Sequence, residues 1–384
     1  MGFKELIGNA SIRSILFTQM LTAVGFGIIL PIVPFYSEEF GASAFQIGLL
    51  TAVFALLNLL LAPFVGRLAD RIGRKKVLLA GTIGFAVAYL IFAFAQNLET
   101  LFIARGVEAI AAAGIFPACT SLISDLTNEQ QRGKAMALIG MTFSMGFILG
   151  PAIGGLAASI SIQFAFLLAA SLSVLNFLSV NFQITEPKEK PESRDIVGKE
   201  ISLLSHLSSP LILIFASSMT VSFIIGGLQA VLALYSQAKL GFGEAEIGIV
   251  FTFIGILIMI FQFISGSLMG RFGEVNLIKL GLFLSALGYT LLVFFDSWLT
   301  LLVPLSIMVM GNAFVFPSVA SLVSKRSSGK RGAVMGLVAS FQSFGQFIGP
   351  LLAGLLYGIE PHLAFLGLGG IGFIYFIVFL IVEK

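Results

Sequence analysis

Gly66-Arg67-Leu68-Ala69-Asp70-Arg71-Ile72-Gly73-Arg74-Lys75-Lys76 packs five cations and one acid between two apolar runs, 46–66 and 77–96, that carry no Asp or Glu, Lys or Arg beyond it. A helix crosses about 30 Å of hydrocarbon with about 20 apolar residues, at 1.5 Å per residue. The stretch therefore reads as a tight polar turn between two spanning helices. Its frame returns in the second half of the chain as Gly266, Leu268, Arg271 and Gly273. A spanning pair and its repeat set the terms for the whole sequence.

Composition agrees. Of 384 residues, 58% are hydrophobic and 11% charged, against about 25% charged in a soluble chain. That excludes a soluble enzyme, a disordered chain and a disulfide scaffold; the lone Cys119 can form no internal disulfide. Spanning runs are read at 14–36, 46–66, 77–96, 100–124, 135–159, 162–183, 210–237, 247–270, 276–295, 298–324, 333–358 and 362–382. Each is expected to be helical, because lipid offers the backbone no hydrogen-bond partners and the runs are too long and uniformly apolar for barrel strands. Lys279 sits near one end of its run, where a long side chain can snorkel; Arg105 and Glu108 alone lie deep within one.

The first run ends in Pro31-Ile32-Val33-Pro34 instead of a small-residue cleavage site, which argues against a removed signal peptide. With the N-terminus inside, every Lys and Arg except Lys239 and Arg105 falls on the cytoplasmic side or at its edge. The positive-inside rule then places both termini in the cytoplasm. A net charge of only +3 makes nucleic acid a poor partner.

Residues 184–209, with mixed charges and two prolines, read as a cytoplasmic linker between an N-terminal bundle, 1–183, and a C-terminal bundle, 210–384. The halves repeat. Ile47-Gly48 recurs as Ile247-Gly248, and Phe116-Pro117 with Ser121, Leu122 and Ser124 as Phe316-Pro317 with Ser321, Leu322 and Ser324. Arg132-Gly133, Gly146, Gly150-Pro151 and Gly155 recur as Arg331-Gly332, Gly345, Gly349-Pro350 and Gly354. Six helices separate equivalent points, so the repeats are parallel and related by an axis along the membrane normal. The expected fold is an all-α membrane protein of twelve transmembrane helices in two pseudo-symmetric six-helix bundles. That architecture suits alternating access to a midplane site. An embedded enzyme would need a cluster of His, Asp, Glu or Cys at span depth, whereas His206 and His362 lie at segment ends; no catalytic residue, metal or cofactor is expected. A non-transporting sensor on the same fold stays open as an alternative.

The Gly66–Lys76 stretch closely resembles the major facilitator superfamily motif between helices 2 and 3, keeping Gly66, Asp70, Arg71, Gly73 and Arg74 with a basic residue at Lys75. The resemblance implies that Asp70 and its basic neighbours lock the cytoplasmic face. Arg71, Arg74, Lys75 and Lys76 also suffice as topogenic anchors. The segment from Asp125 to Arg132 resembles the helix 4–5 junction of that family, making Asp125 and Arg132 expected gate partners of Asp70 and Arg71. Gly146-Phe147-Ile148-Leu149-Gly150-Pro151-Ala152-Ile153-Gly154-Gly155 looks like the superfamily's antiporter signature, found chiefly in twelve-helix drug:proton exporters. Physically, Gly146, Gly150 and Gly154 form a small-xxx-small packing stripe, and Pro151 permits a kink.

Arg105 matches the helix 4 arginine associated in that family with proton coupling. Glu108 stands where Gln is frequent, and Ala109 where Gly is usual. Counted inward from Thr100, Arg105 and Glu108 lie about 8 and 13 Å below the outer boundary. A charge at such depth costs about 2.5–3.5 kcal/mol on insertion scales, so both should face the central cavity, where Glu108 could take up a proton as Arg105 moves away. A static pair that anchors packing is the plainer alternative. The repeat does not keep these charges: Leu305 and Met308 take their places, and Asp70 and Asp125 become Gly270 and Lys325. Helix 7 offers Gln229 where the quinolone exporters of the family would suggest a carboxylate.

Gln19, Thr22, Asn58, Asn176, Gln229, Gln262, Asn312, Gln342 and Gln346 are the polar residues within apolar helices. About half are expected to make helix–helix hydrogen bonds in place of lining a cavity. With 39 Phe but one Trp, the cavity suits lipophilic, amphipathic solutes more than sugars. The expected function is proton-coupled export of small amphipathic compounds by a monomer in the cytoplasmic membrane, with lipid, protons and a small-molecule substrate as partners. A facilitator or proton symporter for a sugar or organic acid is the alternative.

Overall fold

A computed structural model describes residues 6, 8–186, 211–326 and 331–383. Most of the expected linker, with Lys188, Lys190, Arg194, Lys199 and His206, and also Lys4, Lys330 and Lys384, lie outside the described residues. Twelve long helices follow in chain order: α1 (Ala10–Glu39), α2 (Ala44–Ile72), α3 (Arg74–Ala93), α4 (Leu98–Leu126), α5 (Glu129–Ala158), α6 (Ile162–Gln183), α7 (Leu211–Leu240), α8 (Glu244–Phe272), α9 (Glu274–Leu291), α10 (Trp298–Arg326), α11 (Arg331–Ile359) and α12 (Pro361–Val382). No strand occurs among the described residues. Eleven helices are long and apolar enough to span a bilayer. The twelfth, α11, is diluted by Ser340, Gln342, Ser343 and Gln346 within its apolar run.

Several helices outrun the apolar segments that mark them. Once started, a helix gains one hydrogen bond per added residue, so it continues into water until something stops it. Thus α2 takes in Arg67, Asp70 and Arg71. The polar turn shrinks to Gly73, whose φ of 104° is a left-handed-side conformation that glycine tolerates. Gly273, its repeat, has φ 78°. Side-chain caps start six of the described helices: Asn9 accepts from Ser11 N and Ile12 N on α1, Ser43 from Gln46 N on α2, Asn97 from Thr100 N on α4, Asn128 from Gln131 N on α5, Ser161 from Phe164 N on α6 and Ser297 from Thr300 N on α10.

The chain divides into two compact units. Unit 1 holds α1 up to Tyr36, then Leu57 through α6, and Glu244–Thr252; unit 2 holds Ser37–Leu56, α7 to Gly243, and Phe253 through α12. The division departs from a six-plus-six cut at two equivalent places: the start of α2 groups with unit 2, and the start of α8 with unit 1. Glycine explains both. In unit 1 a Cβ on Gly248 would stand 2.5 Å from Pro151 O and 3.0 Å from Gly155 Cα; in unit 2 a Cβ on Gly48 would strike the Pro350 carbonyl. These contacts involve Gly48 and Gly248, Pro151 and Pro350, all members of the sequence repeat.

Within each unit the repeat reaches down to single bonds. Tyr36 OH donates to Ala95 O at 3.1 Å in unit 1, and Tyr235 OH to Val293 O at 3.0 Å in unit 2. Thr18 Oγ1 donates to Asn176 Oδ1 at 2.8 Å; Ser217 Oγ and Tyr375 OH meet at 3.2 Å at the equivalent positions. In unit 2, Phe215, Val221, Ile278, Leu282, Val319 and Phe379 form an apolar core. In unit 1, Phe92 and Phe166 stack with centroids 4.9 Å apart. Lipid is as apolar as these side chains, so close packing and interhelical hydrogen bonds hold the helices together.

Candidate functional site

The Asn97 cap begins α4, and two turns further in the helix turns Arg105 and Glu108 to the protein interior, 4% and 0% exposed. Spaced i and i+3, they share a face, and Arg105 NH1 donates to Glu108 Oε2 at 2.7 Å. The guanidinium lies 5.9 Å from the Phe26 ring centroid on α1. Among the described residues Glu108 Oε1 has no hydrogen-bond partner, nor has the hydroxyl of Tyr89 on α3. Tyr89 is 1% exposed, feels the charges of both Glu108 and Arg105, and its ring carbon Cζ would stand 3.1 Å from a Cβ at Gly25. Gly25 thus admits the tyrosine against α1.

On α1, Gln19, Thr22 and Phe26 fall at i, i+3 and i+7, on one helix face. Gln19 Nε2 and Thr22 Oγ1 are buried without hydrogen-bond partners among the described residues. Four unsatisfied polar atoms, on Gln19, Thr22, Tyr89 and Glu108, therefore lie on the packed faces of α1, α3 and α4. Leaving such an atom buried costs about 1–3 kcal/mol, and a fold retains this expense where something must bind or move. Tyr89 is the member that the sequence reading missed; among apolar helices a single tyrosine carries no signal that separates it from core aromatics.

Unit 2 keeps the tyrosine but not the charges. Tyr289 is fully buried, with its hydroxyl 3.0 Å from a Cβ at Gly227, while Leu305 and Met308 are buried at the positions of Arg105 and Glu108. The tyrosine–glycine contact therefore stands without a charged pair, and the pair is an addition peculiar to α4. Of the other polar candidates, Asn176 and Asn312 are spent on helix–helix bonds; Ser285 Oγ donates to Asn312 Oδ1 at 2.6 Å. Asn58, Gln229, Gln342 and Gln346 are half-buried, and Gln262 is exposed.

The α5 glycines hold α1 at backbone distance. Cβ atoms on Gly150 and Gly154 would stand 2.8 Å from Gly27 Cα and 2.6 Å from Ile28 Cα, and one on Gly146 would stand 2.7 Å from Ala23 Cβ. Pro151 Cδ seats against Gly27, while Gly155 faces Gly248. The same zipper recurs between α11 and α7, where Gly349 meets Phe223 and Pro350 meets Gly226. Helix α1 is thereby fastened to α5 on one side and bears on the charged pair of α4 on another.

At the end of unit 1 that carries the α2–α3 turn, Arg74 is the hub. It pairs with Asp125 across α3 and α4 and lies 3.6 Å from Asp70. Its backbone N–H donates to Glu186 Oε1 at 2.7 Å. The expected pairing of Asp70 and Arg71 with Asp125 and Arg132 is thus arranged differently. Arg71 forms no ion pair among the described residues, because α2 continues through it and points it outward; Arg132 donates to Ser124 O at 3.3 Å. Gly66 touches nothing within 4 Å of where a Cβ would be. In unit 2 the hub survives with its signs exchanged: Glu274 replaces Arg74, Lys325 replaces Asp125, and the two pair, with Ser321 Oγ donating to Glu274 Oε1 at 2.8 Å.

Comparison with known proteins gives this arrangement its family. The family model described as Major Facilitator Superfamily matches residues 15–279 and 214–384. The chain is 30% identical over 358 residues to Multidrug resistance protein 1 of Bacillus subtilis strain 168, covering 93% of this chain and 92% of that protein. It is also 30% identical to Quinolone resistance protein NorA of Staphylococcus aureus, covering 92% and 91%. Among solved structures, the nucleoside transporter NupG superposes with a TM-score of 0.82 at 16% identity over 97% of this chain and 99% of that one, a likeness of fold. The chain belongs to the Major Facilitator Superfamily and is a multi-pass membrane transporter, not an enzyme.

Proposed function

We propose that the protein is a proton-coupled exporter of small amphipathic compounds, a monomer working by alternating access between six-helix bundles at 1–183 and 210–384, with both termini in the cytoplasm. One observation carries the coupling: a lone carboxylate, Glu108, buried against a single guanidinium in α4 and holding one oxygen without a partner. An acid in that setting can exchange a proton for an ion pair, because moving Arg105 away leaves a buried charge that is costly unless neutralised. Export of amphipathic compounds is supported by the names of two relatives, a multidrug and a quinolone resistance protein. The α5 signature Gly146, Gly150, Pro151, Gly154 and Gly155 supports antiport, and the phenylalanine-rich composition supports lipophilic cargo. Gln19 and Thr22 are the foremost substrate contacts, since their buried polar atoms await partners. Asn58, Gln229, Gln342 and Gln346 are half-buried reserves, and Asn312 serves packing first. The Asp70–Arg74–Asp125 cluster, with Arg71 and Arg132 nearby, acts as the cytoplasmic latch.

The test is flux of a panel of lipophilic cations, quinolones, sugars and organic acids in proteoliposomes, with and without an imposed pH gradient. Gradient-driven accumulation of amphipathic compounds alone supports the proposal. Gradient-independent flux of a sugar or organic acid would replace it with a facilitator, and saturable binding without flux with a sensor.

A further inference from the structure

Gly25 leaves a notch in α1, and the Tyr89 hydroxyl fills it: a Cβ there would strike the hydroxyl oxygen. One residue on, the Phe26 ring centroid lies 5.9 Å from the Arg105 guanidinium. Two adjacent residues of α1 thus bring the tyrosine of α3 and the arginine of α4 to one level of unit 1. The register of α3 on α4 does the same for Glu108. Would-be Cβ atoms on Gly81 and Gly84 stand 3.0 Å from Ala111 O and 2.9 Å from Ala111 Cβ. The two helices are antiparallel, so one further turn of α3 sets Ala88 and Tyr89 level with Glu108. Unit 2 shows that register directly: a Cβ on Gly288, the counterpart of Ala88, would stand 2.8 Å from Cα of Met308, the counterpart of Glu108.

The Tyr89 ring is fixed by its apolar side, stacked on Phe85 with centroids 5.7 Å apart. Its hydroxyl has no hydrogen-bond partner among the described residues, and neither has Oε1 of Glu108. The charges that act on Tyr89 are those of Glu108 and Arg105, and the charge that acts on Glu108 is that of Arg105. Around this level, residues 19–28 of α1 and 57–66 of α2, whose Leu57 touches Gly106, hold no titratable side chain. A buried donor without an acceptor and a buried acceptor without a donor therefore lie at one depth. Both are costly to leave unmade, and a phenylalanine at 89 would fill the same space without that cost.

We propose that Tyr89 is a positioning residue for the proton on Glu108: its hydroxyl donates to the Glu108 carboxyl in the state in which Arg105 has moved away. The inference rests on the proton-coupled reading given above. In the ion-paired state Arg105 holds Oε2, and the tyrosine hydroxyl waits in the Gly25 notch. When the pair opens, Glu108 gains a proton from water and Arg105 keeps its charge. Tyr89 keeps its own proton and donates only a hydrogen bond, to the carbonyl oxygen of the neutral acid. That bond replaces the contact Arg105 gave up and so lowers the cost of opening. A neutral donor does not replace the charge, so the proton is still required. In unit 2 Tyr289 fits Gly227 in the same way, with Leu305 and Met308 where the charges stand in unit 1. The tyrosine–glycine fit is common to both units, and the acid at its level belongs to unit 1 alone.

The test is infrared difference spectroscopy of the reconstituted full-length protein between alkaline and acid pH. Accepting a hydrogen bond weakens a carboxyl C=O bond and lowers its stretching frequency. The protonated-carboxyl band that disappears in Glu108→Gln should therefore move to higher frequency in Tyr89→Phe and stay in place in Tyr289→Phe. Accumulation driven by a pH gradient should fall about fivefold in Tyr89→Phe, the weight of one hydrogen bond, and remain at the parent level in Tyr289→Phe. Should Tyr89→Phe fail to fold, Gly25→Ala, whose Cβ drives the hydroxyl from its notch, should move the same band. A Glu108 band unmoved in the folded variant, a band moved equally by Tyr289→Phe, or undiminished accumulation in Tyr89→Phe would overturn the role of Tyr89 and leave proton coupling standing. Absence of any Glu108 band at acid pH would overturn both.

Discussion

Arg105 grips Glu108 by one carboxylate oxygen, at 2.7 Å across a single turn of α4, and leaves the other oxygen without a hydrogen-bond partner among the described residues. A bidentate clamp would satisfy both oxygens and give the firmer pair. The one-sided grip leaves room for a proton on the carboxylate or a new partner for it.

Removing one member of this pair should cost far more than removing both. Arg105→Leu alone strands a buried carboxylate, at about 3–5 kcal/mol, and should lower the unfolding temperature clearly. Arg105→Leu with Glu108→Met copies Leu305 and Met308 of unit 2, and should recover most or all of that stability. Thermal unfolding in detergent measures the order. A double variant less stable than Arg105→Leu would show that the pair is a structural anchor.

The exchanged signs of the two hubs suggest a swap experiment. Asp125→Lys sets a cation against Arg74 and should loosen the end of unit 1, raising the reactivity of a cysteine placed beside Gly73. Adding Arg74→Glu rebuilds the pair with the polarity of Glu274 and Lys325 and should restore protection. The side chains of Arg74 and Asp125 are only 18% and 17% exposed, so a change in stability would mix the latch with the burial of its charges, and the readout is labelling rate. Equal labelling in the single and double variants would mean that Arg74–Asp125 latches nothing.

Much of this was legible in the sequence, for a physical reason. Bilayer cost makes any charge in an apolar run conspicuous, so Arg105 and Glu108 announce themselves. Backbone contacts tolerate only glycine, so Gly146, Gly150 and Gly154 and their repeat copies survive as a pattern. Pairing is different. Asp125 had four cations within reach in sequence, and only the path of α2 past Arg71 leaves Arg74 as its partner. Glu186 follows α6 in a polar stretch with nothing to mark it, and Tyr89 hides among aromatic core residues. The level that Tyr89 shares with Glu108 depends on the register of α3 on α4, a property of two helices that no single stretch records.

The zipper makes its own prediction. Gly150→Ala would place a Cβ 2.6 Å from Val24 O and 2.8 Å from Gly27 Cα, both backbone atoms that cannot step aside. It should force α1 and α5 apart and lower the unfolding temperature by several degrees. Gly140→Ala, with open space around it, should be neutral or slightly stabilising, since alanine is the better helix former by about 1 kcal/mol. Equal effects at the two positions would deny α5 its role as a close-packed brace.

The most direct measurement of proton coupling is uptake of a transported compound into proteoliposomes under an imposed pH gradient, comparing the unmodified protein with Glu108→Gln. Glutamine keeps the size and hydrogen-bonding shape of the acid but cannot titrate, so the variant should fold with an unchanged elution profile, at an unfolding temperature lowered by the buried Arg105 charge it no longer neutralises. Gradient-driven accumulation should be abolished while exchange of compound at equal pH persists. Undiminished accumulation in the folded Glu108→Gln protein would contradict the account and remove Glu108 from the mechanism.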